Sequence, residues 1–293
     1  MKEITLTKDE EIIKRRFKAH PEIINPSDEL LCTLKKLQEL NISTTDYPLH
    51  QMPITEALYD AQKFLLYYFR LNKVPYLYTA KVLGINFQLV RNINPLKIPV
   101  NIVTNSDPLI GSVSEILSSN PRYHIVFREI NLAHPTTEHT SCSYIHEITH
   151  TQLDRLKGSI REYYNSEVLS LFNEFFHAAV LDKSEKVLRF DDARRIHEMS
   201  IIAQELRDYH DGKLEETRDE LLEDGKYLVS LLKAYNLFIK FYYGTEEVQT
   251  KILEGIQAVF DGYMTLEEFL LREEVTYENS QDEKKLLKYF SRS

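Results

Sequence analysis

The chain has little of what a secreted, cross-linked or membrane-spanning protein needs. Its 293 residues include only two cysteines, Cys32 and Cys142, and no tryptophan. Two isolated thiols outside any C-x-x-C pair cannot build a disulfide framework, so both read as reduced side chains, Cys142 on a buried helix face. Glycine and proline are scarce, eight and ten, which excludes collagen-like and loop-dominated chains and points to helices. No apolar run reaches the roughly 20 residues of a membrane span. Met1 to Glu10 carries acidic residues where a signal peptide needs an apolar stretch, so the expected compartment is the cytoplasm, with no membrane partner. The formal charge of −9 provides no basic excess for phosphates, and no nucleic-acid partner is expected.

What is present suffices for a large core: 43% of residues are hydrophobic, and no linker-like or low-complexity tract divides them. The expectation is one domain over 1–293, with an N-terminal lobe over about 1–140, a C-terminal lobe over about 141–293, and a cleft between them. Ser27 is placed to cap a helix whose buried stripe is Leu30, Leu31, Leu34, Leu37 and Leu40. A second helix is expected from Thr55 to about Leu71, its apolar side formed by Leu58, Phe64, Leu65, Tyr68 and Phe69. Val82 to Val90, Ile98 to Thr104 and Tyr123 to Ile130 are β-rich and bounded by turn residues, which predicts a small sheet. Tyr123 to Phe127 could be a sheet edge that pairs with an extended peptide. Helical patterns then return, including a capping box at Thr265 to Glu268. The fold class read from this is mainly α with a small β-sheet, that is, α+β.

The chemistry is concentrated in Ser143-Tyr144-Ile145-His146-Glu147-Ile148-Thr149-His150. On a helix, residues four apart share a face, so His146 and His150 offer two imidazoles to one point. Glu147 sits one step round, able to reach a water at a metal's open position. This is the mechanical sense of H-E-x-x-H in zinc enzymes. Cys142, Ile145, Thr149, Leu153 and Leu156 give the segment an apolar side, Asp154 joins the polar one, and Gly158 is placed to end the helix. A second helix from about Arg161 to Leu181 is apolar nearly all round from Val168 and should be buried. Into it are set Glu167 and Glu174, seven apart and on one face, with His177 a turn beyond. A buried carboxylate needs a partner. One zinc at His146 and His150 would supply it, with Glu167 or Glu174 as third ligand. His134 and His139 are assigned to the loop before the motif helix.

At these residues the chain resembles the gluzincin metallopeptidases, which join an HExxH helix to a glutamate from a following helix. More narrowly, it is similar to the thimet oligopeptidase and oligoendopeptidase family, whose following helix carries two glutamates seven positions apart. The resemblance implies a zincin-like fold, His146, His150 and Glu167 as zinc ligands, Glu147 as general base and Glu174 supporting a ligand histidine. A thermolysin-like alternative takes Asn173-Glu174 and makes Glu174 the ligand. Peptide hydrolysis by a zinc-activated water would follow, Glu147 relaying the proton. Asp154 or Glu174 would orient a ligand histidine. His177, Tyr242, Tyr243 and Tyr263 are candidates for stabilising the oxyanion. Two other readings are a zinc-binding regulatory or scaffold protein without activity, and a helical interaction module in which HExxH is accidental.

Overall fold

The computed structural model describes residues 24–39, 50, 54–69, 80–82, 85–87, 100–105, 113–120, 125–133, 139–153, 163–181, 186–214, 218–275 and 280–290. The protein is mainly α. Its helices are α1 (Asp28–Glu39), α2 (Ile54–Phe69), α3 (His139–Leu153), α4 (Tyr163–Leu181), α5 (Lys186–His210), α6 (Arg218–Tyr242), α7 (Glu246–Asp261), α8 (Leu266–Arg272) and α9 (Ser280–Phe290). Among the described residues, no helix is long and apolar enough to cross a membrane.

Local chemistry explains where these helices begin and what they bury. The Ser27 hydroxyl accepts from the Leu30 N–H at 3.0 Å, and Asp28 and Glu29 sit at the positive end of α1. Leu30, Leu34 and Leu37 are buried, as the leucine spacing predicts, while Leu40 lies outside the described residues. In α2, Phe64, Leu65 and Phe69 are buried; the Leu58 side chain is outside the described set. Thr265 and Glu268 form the expected capping box of α8. Gly262, at φ 78°, closes α7 in the left-handed conformation that glycine adopts without strain.

The centre of the molecule is α4. Val168, Leu169, Leu171, Phe172, Phe175, Phe176 and Ala178 are buried on its different sides, as its nearly continuous apolarity predicts. It packs between α3 and α6, and α5 also lies against it. Aromatic rings fill the joints: Phe175 stacks on Tyr235 at 4.3 Å, and Phe176 meets Phe64 at 5.0 Å and Phe241 at 4.6 Å. One buried carboxylate joins three helices. Asp192 of α5 accepts from the Tyr235 hydroxyl of α6 and the Tyr289 hydroxyl of α9, each at 3.1 Å.

Between α2 and α3, strand pairing of the backbone is described for β1 (Ala80–Val82), β2 (Ile85–Phe87), β3 (Val100–Asn105), β4 (Val113–Asn120) and β5 (Ile125–Ala133), in the order β2-β1-β3-β5-β4. The β1–β3 and β3–β5 pairs are parallel, and the β1–β2 and β4–β5 pairs antiparallel. The backbone of β5 pairs with β4 from Ile125 to Asn131 and with β3 from Arg128 to Ala133, so among the described residues Ile125 to Phe127 have β4 alone as a strand partner. Of the expected edge at Tyr123 to Phe127, Tyr123 and His124 lie outside the described residues.

Candidate metal centre

α3 and α4 are neighbours, and their facing sides carry the motif residues. His146 and His150 are stacked one turn apart on α3, with ring centroids at 4.9 Å. Their Nε2 atoms lie 3.1 Å from each other. Glu167, in the second turn of α4, brings Oε1 to 3.2 Å from His150 Nε2 and Oε2 to 3.5 Å from His146 Nε2. All three side chains are largely buried, at 13%, 13% and 20% exposure.

These spacings can be tested against a metal. Tetrahedral zinc with bonds of about 2.0 to 2.2 Å holds its donor atoms roughly 3.3 to 3.5 Å apart. The two Nε2 atoms, 3.1 Å apart, are close to that spacing, each has a different Glu167 oxygen at 3.2 or 3.5 Å, and one donor atom from each of the three residues lies within 4.8 Å of the other two. Charge keeps the carboxylate ionised. Burial pushes the Glu167 carboxyl up, but positive charge and hydrogen bonds at His150 and His146 outweigh it and hold the group well below the usual carboxylate range. Among the described residues, its ion-pair contacts are those two imidazoles, with no Lys or Arg. The donor set of two imidazole nitrogens and one carboxylate oxygen suits zinc.

Glu174, seven residues on, does not enter this group. Its Oε2 lies 2.9 Å from His146 Nδ1, on the far side of the imidazole. The same carboxylate accepts from Arg194 Nη2 at 2.7 Å and from Arg195 Nη2 at 2.8 Å. Burial pushes its pKa up, and Arg195, His146 and Arg194 bring it well below the ordinary range. Arg194 also donates to Asp191 at 2.9 Å. Asp191 is pushed up to about 6 by its burial and by the negative charge of Glu174. His139, Glu174 and Asp191 form a second acidic and imidazole group, but the Arg194 guanidinium already bonds both of its carboxylates, at closer range than His139, whose Nε2 is 3.7 and 3.8 Å away. A resident cation therefore takes the place a second metal would need.

The other expected residues fall elsewhere. His139 is the first residue of α3, largely buried and beside Glu174, and not an exposed loop histidine. Cys142 is buried, and its thiol is raised by that burial and by nearby Asp191 and Glu174. His177, a candidate for stabilising the oxyanion, lies in the core against Phe64, 2% exposed. Tyr242 packs on Phe238 and Tyr289, Tyr243 also approaches Tyr289, and Tyr263 is 86% exposed just after α7. Glu147 lies in α3, but its side chain is outside the described residues, as are His134, Asp154 and Gly158.

Sequence reasoning missed Asp191, Arg194 and Arg195. The signal was available in Asp191-Asp192-Ala193-Arg194-Arg195, charges within a helix flanked by buried Val187, Leu188, Ile196 and Met199. Their spacing of three and four residues makes ion pairs on one helix face. No protein-family model, curated protein or solved structure matches the chain.

Proposed function

We propose that the chain is a zinc-dependent metallopeptidase, with one zinc per chain held by His146, His150 and Glu167 and with Glu147 as general base. The observation that carries this reading is the meeting of two imidazole nitrogens and a carboxylate, 3.1 to 3.5 Å apart, on adjacent helices. The resemblance at HExxH and the following glutamates gives the class, a gluzincin related to the thimet oligopeptidases. It also gives the finer architecture: a zincin-like α+β fold, with a small sheet before the motif helix and a cleft between lobes meeting near residue 140. The substrate is a peptide or flexible segment, and the compartment is the cytoplasm.

When bound, zinc supplies Lewis acidity towards a carbonyl oxygen and makes water acidic near neutral pH. The remaining work falls to the chain. Glu147, next to His146 on α3, accepts a proton from water and returns it to the leaving amine. Glu174 stands behind His146 and orients it, and Glu167 supplies the negative charge that two neutral imidazoles lack.

The test is zinc per chain by elemental analysis, with His146→Ala and Glu167→Ala in parallel, then a peptide-library assay of the wild type and Glu147→Gln. We expect near-stoichiometric zinc, lost in both ligand variants, and turnover that falls about 10²-fold or more without the base. Zinc without turnover would leave a regulatory zinc protein. No zinc after reconstitution would leave a helical interaction protein whose motif is accidental.

A further inference from the structure

We infer that Arg194 and Arg195 are positioning residues for this centre: they fix the proton of His146 on Nδ1, and thereby turn a bare Nε2 towards His150 and Glu167. The arginines act through Glu174. A guanidinium has only donors to offer. Glu174 Oε1 faces Arg194 Nη2 at 2.7 Å, and Oε2 faces Arg195 Nη2 at 2.8 Å. Two permanently charged guanidinium groups, one on each oxygen, hold Glu174 as a carboxylate, and an ionised carboxylate only accepts. The third neighbour, His146 Nδ1 at 2.9 Å from Oε2, is therefore the donor. A neutral imidazole carries one proton; with that proton on Nδ1, Nε2 is left unprotonated, an acceptor for His150 or for a metal.

The clamp is built to hold. Arg195 is 5% exposed and its other nitrogen, Nη1, donates to Glu198 at 2.7 Å and to the Tyr227 hydroxyl at 2.6 Å. Its planar fork thus joins α4, its own helix and α6, which leaves the guanidinium little freedom to turn. Arg194 is held in turn by Asp191 at 2.9 Å. The second histidine has no such arrangement on its Nδ1. His150 Nδ1 lies 3.2 Å from the Ser166 hydroxyl, a neutral group, where His146 Nδ1 faces a carboxylate. The two imidazoles of the motif therefore rest on different supports, a clamped carboxylate behind His146 and a hydroxyl behind His150.

The consequence for metal affinity rests on the zinc reading; the tautomer is a property of the metal-free protein and is measured separately. The experiment uses the full chain, metal-free, labelled with ¹⁵N at histidine, at a pH of about 8 where free imidazoles are neutral. Long-range ¹H–¹⁵N spectra then assign each tautomer, and zinc affinity is measured by competition with a chelator. We expect His146 in the wild type to be a single Nδ1–H species. Arg195→Met should populate Nε2–H and weaken zinc binding about 10- to 100-fold, the usual cost of losing an outer support. Arg195→Lys should recover part of both effects. If Arg195→Met fails to fold, Arg194→Met carries the test, since Arg194 is 37% exposed and its replacement buries less unpaired charge. An Nε2–H wild type, or a tautomer and affinity both unchanged in the folded variants, overturns the inference. A locked Nδ1–H in a protein that takes up no zinc supports the clamp and overturns the zinc reading.

Discussion

Lowering the pH from 7 to 5 should remove about 2 kcal/mol of folding stability through one side chain, His177. The ring is 2% exposed, meets Phe64 edge-on with centroids 4.6 Å apart, and neither nitrogen has a hydrogen-bond partner among the described residues. Its burial lowers the pKa from 6.5 to about 3. The unfolded chain therefore takes up a proton first, so the contribution is complete above about pH 6.5 and is lost as pH falls towards 3. Each pH unit inside that window corresponds to about 1.4 kcal/mol, and partial protonation near its upper end brings the interval from 7 to 5 to about 2 kcal/mol. With a urea m value of about 3 kcal/mol/M, the midpoint moves by about 0.6 M. The assay is urea unfolding at both pH values for the wild type and His177→Phe. A phenyl ring keeps the contact with Phe64 but cannot titrate, so the difference between the two pH dependences belongs to His177. Equal dependences, or an NMR titration of His177 near 6.5 in the folded protein, would refute the reasoning.

Glu174→Ala strands two arginines in a buried network and should cost about 3 to 5 kcal/mol, read as a lower melting temperature of the metal-free protein. If zinc binds as proposed, free zinc at about 1,000 times its Kd adds about 4 kcal/mol. With an unfolding entropy of about 2.1 cal/mol/K per residue over 293 residues, that is a rise of about 7 °C, absent in His150→Ala and reversed by chelation. Gly255→Ala should destabilise by about 1 to 3 kcal/mol despite the better helix propensity, since a Cβ there would stand 2.7 Å from the Phe269 ring and 2.0 Å from Arg272 Nη2; calorimetry reads it directly. Thr265→Ala removes the α8 cap and should cost about 1 kcal/mol in the same measurement.

Much of the helical framework was legible because its signals are local. Ser27 before a leucine stripe and Thr265 before Glu268 state their caps within four residues. The pairing of His146 and His150 with Glu167 was also within reach, because three periodic positions on two successive helices define where two faces meet. The choice between Glu167 and Glu174 was not. Both occupy one face of α4, and what separates them is the position of Arg194 and Arg195, twenty or more residues away on α5. Periodicity says which face a side chain takes, not which cation arrives from another helix. His139 was misread for a related reason: α3 begins one turn before the apolar pattern that starts at Cys142, so the histidine was left in the loop.

The double hold on Asp192 has a practical meaning for anyone handling the protein. Its neighbour in the chain, Asp191, takes the hydrogen bond from Arg194, while Asp192 is fastened by phenols from α6 and from α9. Trimming back α9 removes Tyr289 and leaves that buried carboxylate with one phenol fewer, one peptide bond away from the support of His146. If zinc binds as proposed, a tag, nick or truncation in α9 would thus report itself at the histidines, as a preparation that still looks helical but takes up less of it.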